Sequence, residues 1–282
     1  MQETTCLELK ISAEAMNEAS FSWLAESQHA LGTALETDVD TDTQMHTAWF
    51  AITEDEQLQR AQVSAAALLS GAISSQIQLK RLGDDWATAW QKHWHAMQIG
   101  MHLCVRPSFC QPLAGDFIDI VLDPGMAFGT GQHATTCLCL EAIERICAEK
   151  TPDSVLDMGA GSGLLAIAAG KLGAKGIIAI DNDPISVEAS NVNAEINDVA
   201  LESILDDTPP DQKFDLVVAN ILAGPLIEMA PQLAQCTGTH LVLSGLLREQ
   251  VELVSQAYTN EGMKVIRTDT QEEWASVELQ KR

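Results

Sequence analysis

Val155-Leu156-Asp157-Met158-Gly159-Ala160-Gly161-Ser162-Gly163 is the stretch on which the fold turns. A short apolar run ends in three glycines at alternate positions, and Leu164 to Leu172 continues as an apolar helix. Strands covered on both faces by helices read as near-continuous apolar runs, so this is a buried strand feeding a tight turn and a helix. The rhythm repeats downstream. Ile177 to Ile180 predicts a second strand, ended by Asp181, and Pro184 opens a helix to Ile196 with Asp183 as its N-cap. Phe214 to Ile221 and His240 to Gly245 predict further buried strands, and Val265 to Arg267 with Trp274 to Leu279 a terminal antiparallel hairpin. The predicted class is α/β, a doubly wound sheet whose ligand lies at the carboxyl ends of the strands.

Upstream the pattern is different. Cys6, Leu7, Leu9 and Ile11 suggest a strand, Ala13 to His29 a helix, and Leu31 to Glu36 and His46 to Thr53 two more strands. Glu54 to Leu69 reads as an Ala-rich helix, and Ile73, Ile77 and Leu79 as a closing strand. This βαββαβ order predicts a ferredoxin-like α+β domain over 1–82, a superfold that discloses no activity by itself. Asp84 to His95 is helical in spacing, with Trp86, Trp90 and Trp94 on one packing stripe. Three parts result: a first domain over 1–82, a connecting helix and linker over 83–101, and the doubly wound domain over 102–282.

The chain of 282 residues has 16 Lys and Arg against 40 Asp and Glu, a formal charge of −24. Nucleic acid is bound through clustered basic side chains, so no direct nucleic-acid partner is expected. In the first 80 residues Lys10, Arg60 and Lys80 face twelve acidic residues, a surface suited to basic ligands as well as to solubility. Met1 to Thr5 does not begin a signal peptide, and no apolar stretch is long enough to span a membrane. The seven cysteines form no C-x-x-C pair and read as reduced, packed thiols of a cytoplasmic protein. His93, His95, His102 and Cys104 lack the spacing of a metal site, so no metal is expected.

Gly159, Gly161 and Gly163 let a ligand lie against bare backbone near a helix start. A dinucleotide fingerprint needs a glycine where Leu164 stands, so the compact loop suits a nucleoside without pyrophosphate. Asp181 offers two acceptor oxygens for ribose hydroxyls. The loop from Asp123 to Thr136 is Gly-rich and ends in hydroxyl residues at a helix start; Thr136 is a candidate ligand for a carboxylate, and Thr135 or Thr136 a candidate helix cap. Asn220, followed by Ile221-Leu222-Ala223-Gly224-Pro225-Leu226, places an amide at a strand's carboxyl end.

On these residues, together with Asp85-Trp86 and Trp90, the sequence resembles the ribosomal protein L-eleven methyltransferase family, class I enzymes that use S-adenosylmethionine. The resemblance runs over nearly the whole chain. It implies a class I methyltransferase sheet, an N-terminal substrate-recognition domain, and methyl transfer to amino groups of that large-subunit protein, on lysine side chains and the N-terminal amine. Thr136, Gly159, Gly161, Asp181 and Asn220 become the cofactor-binding positions, Asn220 also the catalytic one, and Asp206 and Asp207 candidates for the adenine. A cytoplasmic monomer is implied. Ala134 stands where the family has Pro, His95-Ala96 where it has Lys-Pro, and Asp198 where it has a turn Gly. The competing readings are a nicotinamide-dependent oxidoreductase on a Rossmann sheet, which Leu164 and the lack of a second phosphate loop disfavour, and a non-catalytic nucleoside-binding module.

Overall fold

The computed structural model describes residues 6–30, 32–38, 43–53, 55–82, 95–122 and 133–281. They divide into two compact units, an N-terminal one and one that begins at Ala96.

The first unit runs β1 (Cys6–Ser12), α1 (Glu18–Ser27), β2 (Gly32–Asp38), β3 (Thr43–Ala51), α2 (Glu56–Leu69) and β4 (Gln78–Leu82). Its sheet has the order β2-β3-β1-β4, with every neighbouring pair antiparallel. Strand alternation sorts the side chains. Leu7, Leu9 and Ile11, with Ala48 and Phe50 opposite, pack against Phe21 and Leu24 of α1 and Val63, Ala66 and Ala67 of α2, so both helices cover one face. Cys6 and Trp49 occupy the other.

The two largest shifts of a predicted boundary each have a local reason. The first helix starts at Glu18 rather than Ala13: the Ala13 amide donates to Gln44 O at 2.8 Å, and Asn17 Oδ1 accepts from the Ser20 amide at 2.8 Å, which makes Asn17 the cap. Ile73 is not in the closing strand, because Gln76 Oε1 accepts from the Ile73 amide at 3.1 Å in a short turn of 3-10 helix. The expected helix over Asp84 to His95, with its tryptophan stripe, falls almost wholly outside the described residues.

The second unit opens with a small sheet, β5 (Met97–Ile99), β6 (Leu103–Arg106) and β7 (Ile118–Val121). Met97 to Ile99, expected to be linker, therefore belongs to this unit through its pairing with β6. There follow α3 (Ala134–Glu149), β8 (Val155–Met158), α4 (Leu164–Lys171), β9 (Ile177–Asp181), α5 (Pro184–Ile196), β10 (Leu201–Leu205) and β11 (Phe214–Asn220). The unit ends with α6 (Ala223–Glu228), α7 (Ala230–Cys236), β12 (Thr237–Leu247), α8 (Val251–Asn260), β13 (Met263–Gln271) and β14 (Trp274–Lys281).

The main sheet has the order β10-β9-β8-β11-β12-β14-β13. Strands β8 to β12 are parallel, and the terminal hairpin is antiparallel. Alternation again sends residues to two cores. Val155, Ala179, Leu216, Val218 and Val242 face α3, α4 and the small sheet; Leu156, Met158, Ile180, Val217 and Leu243 face α6, α7 and α8. From β8 the chain winds outward to β10, then returns on the far side of β8 as β11. The reversal opens a crevice above the carboxyl ends of β8 and β11, the usual ligand position in such sheets.

A buried ion cluster ties α3 to the hairpin. Glu278 is bound by Arg145 Nη1 at 2.5 Å and His240 Nδ1 at 2.9 Å. Burial alone would raise its carboxyl, yet these two partners hold it below the usual range. No helix among the described residues is long and apolar enough to cross a membrane.

Candidate active site

The glycine turn leaves β8 with left-handed backbone at Gly159, Gly161 and Gly163, at φ of 74°, 54° and 78°. The amides of Gly159 and Ala160 both donate to Ile180 O, at 2.8 and 3.0 Å, which folds the turn over the end of β9. There Asp181 clamps it: Oδ2 accepts from the Gly161 amide at 2.8 Å and Oδ1 from the Asp183 amide at 3.0 Å. Each carboxylate oxygen keeps a lone pair beyond these bonds. Asp181 thus organises the loop while still presenting acceptors, a structural task that its position in the sequence did not announce. Asp183 is the N-cap of α5, accepting from the Ile185 amide at 3.0 Å, with Pro184 in the first turn.

Asp157, beside the same turn, is not singled out by the sequence. It is 0% exposed; Oδ2 accepts from the Ala166 amide of α4 at 3.0 Å, while Oδ1 is buried with no hydrogen-bond partner among the described residues. Burial, with some contribution from the Asp181 charge, pushes its carboxyl up to about 7. An unsatisfied buried acceptor beside a glycine turn is a signal only the folded chain displays.

On the other side of the crevice, Thr136 and Asn220 meet although 84 residues apart: Asn220 Nδ2 donates to Thr136 Oγ1 at 3.4 Å. The amide is thereby turned so that Oδ1 is the end not bound to Thr136. Neither threonine caps α3. His133 does, its ring nitrogen Nδ1 lying 3.4 Å from the Thr135 amide and 2.7 Å from Thr135 Oγ1, while the ring packs edge-on against Trp274 at 4.7 Å. Ala134 therefore occupies the first helical position, where proline is well tolerated.

The chain leaving Asn220 is tightly confined. A Cβ on Gly159 would stand 2.3 Å from Ile221 Cγ2, and one on Gly245 2.2 Å from Ile221 O. Gly159 is thus needed for packing as well as for the turn, and Gly245 is a second residue that the sequence did not single out. Leu222, two residues past Asn220, is 71% exposed. Of the two adenine candidates, Asp206 directly follows β10, and its amide donates to Asp181 O at 3.0 Å. Its Oδ1 is taken up by the Asp207 and Thr208 amides and the Thr208 hydroxyl, which holds the carboxyl below its ordinary range.

The arrangement fits a nucleoside: it offers the half-buried Asp181 carboxylate at a strand end and a turn stripped of side chains.

The chain is similar to known proteins. Residues 5–282 match the family described as ribosomal protein L11 methyltransferase (PrmA). A protein of that name from Shewanella sp. (strain ANA-3) is 46% identical over 180 residues, 62% of this chain and 61% of the relative. Another, from Geobacter sulfurreducens, is 44% identical over 201 residues, 68% of this chain and 64% of the relative. The matched stretch thus spans less than two thirds of each relative's length. A ribosomal protein L11 methylase from Lactobacillus delbrueckii subsp. bulgaricus superposes with a TM-score of 0.61 at 35% identity, covering 67% of this chain and 100% of that one. The doubly wound sheet is accordingly that of the class I methyltransferases, and the chain belongs to the ribosomal protein L11 methyltransferase family.

Proposed function

We propose that the chain is an S-adenosylmethionine-dependent protein methyltransferase acting on amino groups, lysine side chains and the N-terminal amine, of ribosomal protein L11. Membership of the family supports the substrate. The observation that carries the chemistry is the Asn220 amide held by Thr136 beside the Gly159 turn.

When bound, S-adenosylmethionine supplies a methyl group on an electrophilic sulfonium. The residues of this chain do the rest. Asp181 accepts from the ribose hydroxyls with the lone pairs left over from its backbone bonds, and the Gly159 and Gly161 backbone lets the nucleoside approach. Thr136 holds the Asn220 amide, and Asn220 Oδ1 accepts a hydrogen bond from the acceptor amine, aiming its lone pair. Such an amine reacts only when neutral. A free lysine, with a pKa of about 10.4, is neutral at pH 7 in roughly one molecule in 2500, a cost of roughly 4.6 kcal/mol. Desolvation against apolar surface such as Leu222 lowers that cost by disfavouring the ammonium. Alignment lowers the barrier by up to about 7–11 kcal/mol, so no strong base is needed, and the proton leaves to water before attack.

The N-terminal unit is the proposed recognition module, its acidic surface steering a basic ribosomal protein. The chain is proposed to act as a monomer in the cytoplasm. Mass spectrometry of purified L11 after incubation with the protein and labelled methyl donor tests the reading. Incorporation at amines supports it; binding of the donor without transfer to L11 overturns it.

A further inference from the structure

We infer that Ser244 and Gly245, consecutive on β12, are positioning residues for Asn220. The inference rests on the role proposed above for Asn220, and adds the device that holds it.

Asn220 pairs with Ser244 across the parallel ladder of β11 and β12. On its other side β12 pairs with β14, and there the register shifts between Leu243 and Leu246. Ser244 and Gly245 therefore sit in an irregularity next to the site, the place where bulges re-aim a chain. Gly245 has φ of 81°. A Cβ on it would meet not a side chain but the Ile221 backbone, at 2.2 Å from O, 2.8 Å from C and 3.1 Å from N. Backbone in a packed turn has no rotamer by which to yield. The missing side chain thus lets the segment after Asn220 lie against β12, and with Gly159 below it Ile221 is gripped on both sides.

Ser244 acts on the other end of the same amide. Ser244 is 0% exposed, a setting in which a polar group is costly unless bonded. Its single hydroxyl proton has two acceptors within reach, Thr135 O and Ala275 O, each at 3.2 Å. Thr135 O lies in the first turn of α3, one residue from the hydroxyl that takes the Asn220 Nδ2 proton. Gly245 therefore sets where the Asn220 backbone leaves the sheet, and Ser244 sets the height of the helix turn that fixes its amide. A packing role alone would be filled as well by alanine at 244.

The test is a cycle in the full-length protein with Ser244→Ala, Asn220→Ala and the double variant. Ser244→Ala is expected to lower kcat by roughly 10-fold or more, as small misplacements do, with KM for the methyl donor within about two-fold. In the Asn220→Ala background the same change should have no further effect on kcat. An equal loss in both backgrounds, or no loss beside wild-type Asn220, overturns the inference. A second readout needs no activity: the side-chain amide resonances of Asn220, identified by their loss in Asn220→Ala, should shift in Ser244→Ala. Unchanged resonances overturn the inference. Full turnover by Asn220→Ala would overturn instead the catalytic reading of Asn220, and the resonances would still decide whether Ser244 positions it. Gly245→Ala should displace the same resonances further, where it folds.

Discussion

Asp181→Ala separates loop organisation from cofactor binding, because the structure gives the first task, and the proposed function the second, to one carboxylate. Two backbone amides, those of Gly161 and Asp183, donate to it at 2.8 and 3.0 Å. Hydrogen bonds to a charged group contribute about 1.5–3 kcal/mol each. Asp181 is half-buried, so water replaces part of what the amides lose, and the two together should cost about 2–3 kcal/mol of unfolding free energy. The ribose term adds separately. Loss of one charge-assisted bond pair to hydroxyls, again about 1.5–3 kcal/mol, weakens S-adenosylmethionine binding by roughly 10- to 150-fold. Urea unfolding gives the first quantity and calorimetry at a temperature where both proteins are folded gives the second. Unchanged affinity would refute the ribose assignment. A stability loss below about 0.5 kcal/mol would refute the clamp, since that is less than an ordinary hydrogen bond contributes.

Asn220→Ala should lower turnover by roughly 10²-fold or more with a much smaller loss of donor affinity, and Asn220→Asp should move the pH–rate profile to higher pH, because a carboxylate stabilises the ammonium; wild-type turnover or no alkaline shift counts against the aiming role. Asp157, raised to about 7 by burial and then by Asp181, contributes stability below its unfolded value that is lost as pH rises through 7; unfolding of Asp157→Asn between pH 6 and 8 should be the flatter of the two, and parallel curves would show the carboxyl already ionised in the fold. His46, lowered by burial despite Glu18 and the Met16 backbone, has the opposite sign: its stability is present above the ordinary histidine range and lost as pH falls below it, so the N-terminal unit of His46→Gln should show a weaker acid transition by circular dichroism. Asp198, in the left-handed position after α5 at φ of 55°, predicts that Asp198→Gly raises stability by about 0.5–1 kcal/mol, read from the urea midpoint.

The sheet was legible because its central strands are buried on both faces and α5 begins with a recognisable cap. Ile177 to Asp181 and Pro184 to Ile196 could be bounded almost to the residue, since Asp181, Asp183 and Pro184 punctuate them. Elements with weaker local marks were not. β10, Leu201-Glu202-Ser203-Ile204-Leu205, mixes polar and apolar residues because it is the edge strand. The three short strands before α3 have only three or four residues each, too few for a period to emerge. The helix expected from Ala13 begins only at Glu18, because Asn17 caps it and the Ala13 amide bonds to Gln44 O.

The site divides along the same line, between what a motif carries and what only pairing supplies. Asp181 and Asn220 stand at strand ends, and a strand end is readable from the polar residue that closes an apolar run. Asp157 sits inside such a run, so nothing local distinguishes it from a core residue until its buried oxygen is found without a donor. Gly245 is harder still. A lone glycine after Leu243-Ser244 has many uses, and its use here depends on Ile221, which the ladder between β11 and β12 brings against it. Parallel strands are joined by crossovers, so residues that meet at their carboxyl ends are separated in sequence by a helix or more. A site at a switch point therefore scatters its parts by construction: Thr136 begins a helix, Asn220 ends a strand, and Ser244 lies in the next strand. The motif-bearing residues are those proposed to contact the ligand, while the residues that hold them in place answer to the fold, and it is there that mutation should separate binding from turnover.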